Sequence, residues 1–404
     1  MEDTSQVMEV IGMDAHSRKI ALCHMRREGD TLVKVKAVDT TLDALEATYA
    51  RQMPPGVLTV LEASTNSVSI VRRLGAMGRP AKQLCADVLS GLSRQDRVND
   101  RIDAEKLARA YLRYGPELRE VFTPSPCGTD RRETYFAYRD ARKDETRAAN
   151  RIWSFCSRHG LDVDRKIGKR RCAALLAEGG ARGWSEAVME RARGLVSDWE
   201  RADAVCKERG KAIEREVFAD PDMTLLQQVP GVRFIGAFAL VAFVEDVRRF
   251  ASPKKLVSYI GLNPSVCGSG EKEAKREVSK FGRSDLKAIF VEAAQSAMRT
   301  DSPAARWAKR LLARGKEWNV AIAALARKLA VLCWHILMGH PAPSRERQCA
   351  TAAKLGRLAF CVGKEAVRRA GFASATEFVA ARCSMLYGHL PETVKGEGRL
   401  CSNA

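Results

Sequence analysis

The chain has 404 residues, 46% hydrophobic and 29% charged, and a net charge of +19. These proportions describe a globular chain long enough for two or three domains and exclude wholesale disorder. A cationic excess of this size points to a polyanionic partner, nucleic acid or an anionic membrane surface, without naming an activity. The opening residues, MEDTSQ, lack the shape of a signal peptide, and the longest apolar run, 235–244, is too short to span a bilayer. Twelve cysteines are scattered without a CxxC pair and six histidines are equally dispersed, which predicts reduced thiols, a cytoplasmic setting and no zinc site.

Residues 8–14 and 19–24 are predicted as two strands with a tight connection. Residues 32–38 alternate, with Val33, Val35 and Ala37 on one face and Lys34 and Lys36 on the other, as in a half-exposed antiparallel strand. A helix over 41–51 takes Thr41 as its cap. Residues 57–61 are apolar except Thr59, the pattern of a buried parallel strand, and Glu62 follows. A helix over 67–77 and a strand over 81–85 complete a meander feeding a βαβ unit, the ribonuclease-H-like layout. In that layout Asp14 and Glu62 close neighbouring parallel strands at the carboxyl edge of the sheet. Residues 93–111 read as a helix with Asp96, Asp100 and Asp103 on one face. Alone, these aspartates read as a solvated face compensated by Arg97 and Arg101. With Asp14 and Glu62 delivered to the same edge, the reading becomes a four-carboxylate site for a divalent metal: Asp14, Glu62, Asp100 and Asp103.

Residues 123–130, rich in Pro, Gly, Ser and Thr, mark a boundary. Beyond it Val188, Ala192, Leu195, Trp199, Ala202 and Cys206 form a heptad seam, weakened by Gly194 and Gly210, and 131–159 is densely basic. This predicts an antiparallel coiled-coil hairpin, a spacer that can also dimerise and touch phosphate. Val229-Pro230-Gly231-Val232 before an apolar helix resembles a helix-hairpin-helix turn, whose N–H groups face phosphate, with Arg233 in place of the usual second glycine. After a helix over 251–260, the stretch 261–282 holds Ser269 between Gly268 and Gly270. Lys272, Lys275, Arg276, Lys280 and Arg283 follow. A small hydroxyl beside cations suits attack on a phosphodiester; the same composition describes a solvated basic loop. Ser284 is placed as the cap of a helix over 285–299, and 318–337 is a further apolar helix. A linker over 340–346 leads to a small helical appendage with a capping box at Ser374 and Glu377 and a disordered tail from 396. The plan is α/β plus all-α: domains 1–125, 126–219, 220–340 and 341–404.

Taken in order, several short motifs resemble a known family. They are Ile11-Gly12-Met13-Asp14, Leu61-Glu62-Ala63-Ser64, Asp100-Arg101-Ile102-Asp103, Val229-Pro230-Gly231-Val232, Tyr259-Ile260-Gly261-Leu262, Ser269-Gly270, Ser279-Lys280 and Ala326-Arg327-Lys328. The set, spread over roughly residues 8–340, resembles the DEDD-type transposases of an insertion-sequence family that joins a RuvC-like domain to a serine-bearing C-terminal domain, related to pilin-gene invertases. The resemblance implies Mg²⁺ or Mn²⁺ held by Asp14, Glu62, Asp100 and Asp103. It implies Ser269 as the nucleophile that joins a DNA 5′ phosphate. It further implies double-stranded DNA of the element ends and target, a structured guide RNA, a homodimer or homotetramer, and a nucleoid-associated prokaryotic protein. Val98-Asn99 depart from the Lys-Thr common before the third acid, and 341–404 has no counterpart.

Breaking and rejoining DNA without a high-energy cofactor requires a covalent intermediate that conserves the phosphodiester energy, and a serine hydroxyl can form one. No histidine lies near Ser269 in sequence, so metal ions and cations, Arg276 first among them, are expected to stabilise the developing phosphoryl charge. The alternative is a RuvC-like metal-dependent endonuclease that hydrolyses branched DNA. A non-catalytic basic DNA- or RNA-binding protein is a third reading, against which the four acids argue.

Overall fold

The computed structural model describes residues 8–16, 18–85, 100–161, 166–264, 282–340 and 347–387. They divide into two compact units, Met1–Ser125 and Pro126–Ala404. The first unit begins with a meander, β1 (Glu9–Ala15), β2 (Ile20–Glu28) and β3 (Thr31–Thr40). It continues through α1 (Leu45–Gln52), β4 (Leu58–Glu62), α2 (Ser67–Ala76), β5 (Ala81–Leu84), α3 (Asp100–Tyr114) and a short β6 (Glu120–Val121). The sheet order is β3-β2-β1-β4-β5-β6. β4 runs parallel to both β1 and β5, and the other pairs are antiparallel.

Because strand side chains alternate, each strand feeds two cores. Val10, Val60 and Leu84 pack with Leu107, Ala108 and Tyr111 of α3 on one face. Ile11, Met13 and Leu61 pack with Tyr49 of α1 and Ile70 and Leu74 of α2 on the other. Gly12 sets how closely α3 approaches: a Cβ there would lie 1.9 Å from the Ala104 carbonyl oxygen. Two local expectations change. Val33 and Val35 are 37% and 46% exposed, because β3 is the sheet's edge and its alternation has no layer to face. Thr41 accepts from the Ala44 N–H at 3.2 Å and so closes a turn ahead of α1 rather than capping the helix.

The second unit opens with two long helices, α4 (Pro126–Arg158) and α6 (Glu186–Ala219), with α5 (Lys169–Ala181) between them. Their pairing is antiparallel: Ile152 and Phe155 late in α4 meet Leu195 and Trp199 early in α6, while Tyr135 shares a cluster with Ile213 and Val217. Gly194 and Gly210 do not interrupt α6. Each costs about 1 kcal/mol of helix propensity, which the buried stripe through Ala192, Leu195, Trp199, Cys206, Ile213 and Val217 outweighs.

Next come α7 (Pro221–Leu225), α8 (Phe234–Val244), α9 (Pro253–Ile260), α10 (Ser284–Met298), α11 (Pro303–Ala313) and α12 (Trp318–Leu337). The appendage supplies α13 (Gln348–Val362), α14 (Lys364–Arg369) and α15 (Ala375–Tyr387). One apolar cluster runs from Tyr135 of α4 through α8, where every residue from Ala237 to Val244 is buried, to Phe378 of α15. Among the described residues α12 is long and apolar enough to cross a membrane. Here it lies in this core, with Leu325, Leu329 and Cys333 buried and Arg327 donating to the Leu262 carbonyl at 3.1 Å. Ser284 is the first residue of α10 and makes no cap; Arg283 holds that position. The Glu377 N–H bonds Ser374 Oγ at 3.1 Å as expected, and the Glu377 carboxylate reaches back to the Ala373 N–H at 2.6 Å, one residue before the usual partner.

Candidate metal centre and serine-bearing segment

Register brings the acids together. β1 and β4 pair Met13 with Leu61, so Asp14 and Glu62 are the next residues along both strands. Each shares its parity with Val10 and Val60, so both face α3. On α3, Asp100 and Asp103 continue the stripe of Ala104, Leu107 and Tyr111 by one turn. The close approach at Gly12 therefore carries two helix carboxylates to the strand carboxylates. Asp96 and Arg97 lie outside the described residues.

The site holds two basic side chains, His16 and Lys19, that sequence reasoning misses. His16 Nε2 lies 3.4 Å from Asp14 and 3.5 Å from Asp100, and these three side chains can converge on one ion. Lys19 Nζ lies 3.7 Å from both Asp39 and Asp100. Asp103 is held by Lys106 at 2.9 Å, and Arg101 forms a two-pronged pair with Asp39 at 2.9 and 2.7 Å instead of shielding the acids. No cation pairs with Glu62 among the described residues. Burial first, then the charges of Asp100 and Asp103, raise the Asp14 pKa, and His16 opposes them. Burial, Asp14 and Asp103 raise that of Glu62. The Asp14-Ala15-His16 spacing at a strand end was a legible signal for His16; Lys19 had none.

Among the described residues, Asp14, His16 and Asp100 can meet on one ion while Glu62 and Asp103 stand outside that group; the carboxylate oxygens suit Mg²⁺ or Mn²⁺. The imidazole of His16 adds one borderline donor.

Ser269, Lys272, Lys275, Arg276 and Lys280 fall outside the described residues. The described residues on either side of them meet. The Arg283 N–H donates to the Tyr259 carbonyl at 3.0 Å. Gly282, at φ +105°, lies so close to Gly261 that a Cβ would come within 2.5 Å of its Cα. Arg283 stacks 4.0 Å above the Phe243 ring and lies 3.7 Å from Asp285.

Two more arginines gather at this stem, around the C-terminus of α8. Arg249 donates to the carbonyls of Val244 and Phe243 at 2.9 and 3.1 Å. Arg132 donates to those of Ala242 and Phe243 at 3.1 and 3.2 Å and to Glu245 at 3.1 Å. The Tyr259 hydroxyl adds a bond to the Phe243 carbonyl at 3.0 Å. Cations at a helix C-terminus satisfy orphan carbonyls and complement its dipole. Glu245 pays a backbone penalty here, at φ +56°, and its carboxylate fills the space a Cβ on Gly128 would need. Burial and the nearby Arg283 and Arg249 push the Arg132 pKa down.

The chain thus joins a mixed α/β unit, with two acids at one sheet edge and two on the helix above it, to a basic helical unit. The family enters through the second unit, where residues 223–309 match the model described as Transposase IS116/IS110/IS902 family. Three relatives extend the match. A transposase for insertion sequence element IS1111A of Coxiella burnetii is 25% identical over 287 residues, covering 69% of this chain and 77% of that protein. A probable family 20 transposase of Pseudomonas aeruginosa is 24% identical over 82% of this chain and 94% of its own length. A transposase for IS1328 of Yersinia enterocolitica is 24% identical over 80% and 95%. The chain is thus similar to insertion-sequence transposases, and its residues 223–309 match this family's model.

Proposed function

We propose that the protein is an insertion-sequence transposase that cuts and rejoins DNA through a covalent phosphoserine intermediate at Ser269. A divalent metal at Asp14, Glu62, Asp100 and Asp103 assists. The observation that supports this reading is the placement of Asp14 and Glu62 at neighbouring strand ends beneath the α3 turn that bears Asp100 and Asp103, in a chain whose family match at 223–309 spans Ser269. Ser269 Oγ attacks the phosphorus, the new Ser–O–P ester takes the 5′ phosphate, and the 3′ oxygen leaves with a proton. Attack by a 3′ hydroxyl of another strand restores the serine, so one phosphodiester is exchanged for another. Mg²⁺, when bound, supplies the charge that steadies the phosphoryl oxygens. Asp14 and Glu62 would hold it from the strands, Asp100 and Asp103 from the helix, and Lys19, 3.7 Å from Asp100, would temper repulsion among these acids. A structured guide RNA and a homodimer or homotetramer belong to the same reading and rest on the motif resemblance; the net charge of +19 is compatible with the RNA.

The test is a denaturing gel of protein incubated with Mg²⁺ and DNA carrying the element ends. The wild type forms a protein–DNA adduct and Ser269→Ala forms none. Cleavage that persists in Ser269→Ala would leave only hydrolysis. Mg²⁺-dependent cleavage surviving in Asp14→Asn would remove the metal assignment.

A further inference from the structure

A groove of about 850 Å³ opens in the second unit between α4, the 229–233 turn and α10. Five cations line it, Arg139, Arg142, Lys143, Arg233 and Arg299, against two carboxylates, Asp285 and Glu292. The α4 cations are partly neutralised: Arg139 pairs with Asp285 at 3.2 Å, Arg142 with Glu145, and Lys143 with Asp140 at 3.5 Å. Arg233 and Arg299 are exposed, and neither pairs with a carboxylate among the described residues.

The turn that carries Arg233 is fixed from two sides. Gly231, at φ +74°, presses on α10 so closely that a Cβ would lie 1.9 Å from the Ala293 carbonyl oxygen. From the appendage, Lys354 Nζ donates to the carbonyls of Gln227, Val229 and Val232 at 2.9, 2.8 and 2.6 Å. Arg233 itself is extended, at φ −116°, so a side chain is accommodated where a left-handed turn would require glycine. It is the N-cap of α8, an 11-residue helix with no side-chain cap, and Arg233, Ile235 and Gly236 at that end line the same groove. The groove also reaches Ser284, where the chain returns from the segment that contains Ser269.

We propose that this groove binds the phosphodiester backbone of double-stranded DNA. The proposal rests on the transposase reading for its choice of nucleic acid. The guanidinium groups of Arg233 and Arg299, which pair with no carboxylate among the described residues, match phosphate oxygens. The groove offers no exposed aromatic platform: Tyr135 is 5% exposed and Tyr138 is half-buried against the core, which disfavours stacked single strands. Contacts of this kind position a duplex and carry no base sequence.

The test measures anisotropy of a labelled DNA duplex against full-length protein, in EDTA and across a salt series. EDTA removes cleavage, so binding is read apart from the serine chemistry. In Arg233→Gln/Arg299→Gln the affinity falls at least about tenfold, and the slope of log K against log salt drops by about 1.8, two phosphate contacts at 0.9 each. Arg368→Gln/Arg369→Gln, the same charge change on the exposed α14, leaves both unchanged. An unaltered slope in the groove variant, or an equal loss in the control, overturns the groove. An RNA hairpin bound more tightly than the duplex, and lost selectively in the groove variant, overturns the DNA assignment in favour of RNA. Groove-dependent binding by a protein that forms no serine adduct would leave this site standing while the proposed chemistry fell.

Discussion

The acid edge of the first unit and the arginine cluster at the end of α8 are both dense in like charge, yet they are compensated in opposite ways. In the arginine cluster each guanidinium meets carbonyl oxygens, an aromatic face or a carboxylate of its own chain. At the acid edge Glu62 has no cationic partner among the described residues, and Asp14 has only an imidazole at 3.4 Å. Charge matched within the chain stabilises the fold, whereas charge left unmatched is available to a ligand. By that criterion Arg233 and Arg299 belong with the acids.

The largest effect is expected for Arg132→Met, which removes the donor to the Glu245 carboxylate and to the Ala242 and Phe243 carbonyls; it should cost about 3 kcal/mol in denaturant unfolding. A loss below 1 kcal/mol would show that the cluster is not structural. Lys354→Met leaves three carbonyls without a donor and should cost about 2 kcal/mol. This variant has a pH signature too. Burial and the charges of Arg347 and Arg233 push the Lys354 pKa down to about 7 from 10.5. The unfolded chain then binds more protons between those values, so wild-type stability rises with pH across that window and the variant lacks the rise.

At the acid edge the signs reverse. Mg²⁺ at ten times its Kd should add about 1.4 kcal/mol to wild-type stability in thermal unfolding, and nothing to Asp14→Asn. The smallest effect is Asp14→Asn without metal, a gain of about 0.5 kcal/mol from relieved repulsion. Asp14 and Glu62 have folded pKa values above their ordinary 3.8 and 4.5, so the folded state holds the extra protons. Wild-type stability therefore falls as pH rises through that window, and Asp14→Asn should fall less. Destabilisation by Asp14→Asn at neutral pH would mean that the acid edge is compensated as fully as the arginine cluster.

Most of the first unit was legible because its signals are local. Apolar alternation and runs predicted β1, β4 and β5, and acids closing two parallel strands made a shared edge a topological consequence. The misreading of Val33 and Val35 has one cause: alternation shows that two faces differ, not that a layer covers either. Ser284 failed as a cap because a good capping residue one position inside the helix has the same local sequence. Arg249 and Glu245 carried no signal, since their partners are helix-end carbonyls and a glycine 117 positions earlier in the chain for Glu245.

By itself, the sequence determined the order of strands and helices, the parity that turns Asp14 and Glu62 the same way, and the cationic surplus. Those follow from backbone periodicity and composition, which neighbouring residues settle among themselves. Tertiary structure alone decided that α3 lies on Gly12 and brings Asp100 and Asp103 to the strand acids, and that His16 stands among them. It also decided which arginines are matched by α8 and which, at Arg233 and Arg299, are not. The physical reason is range: a charge is compensated by whatever lies within a few ångströms, and packing chooses those neighbours from anywhere along the chain.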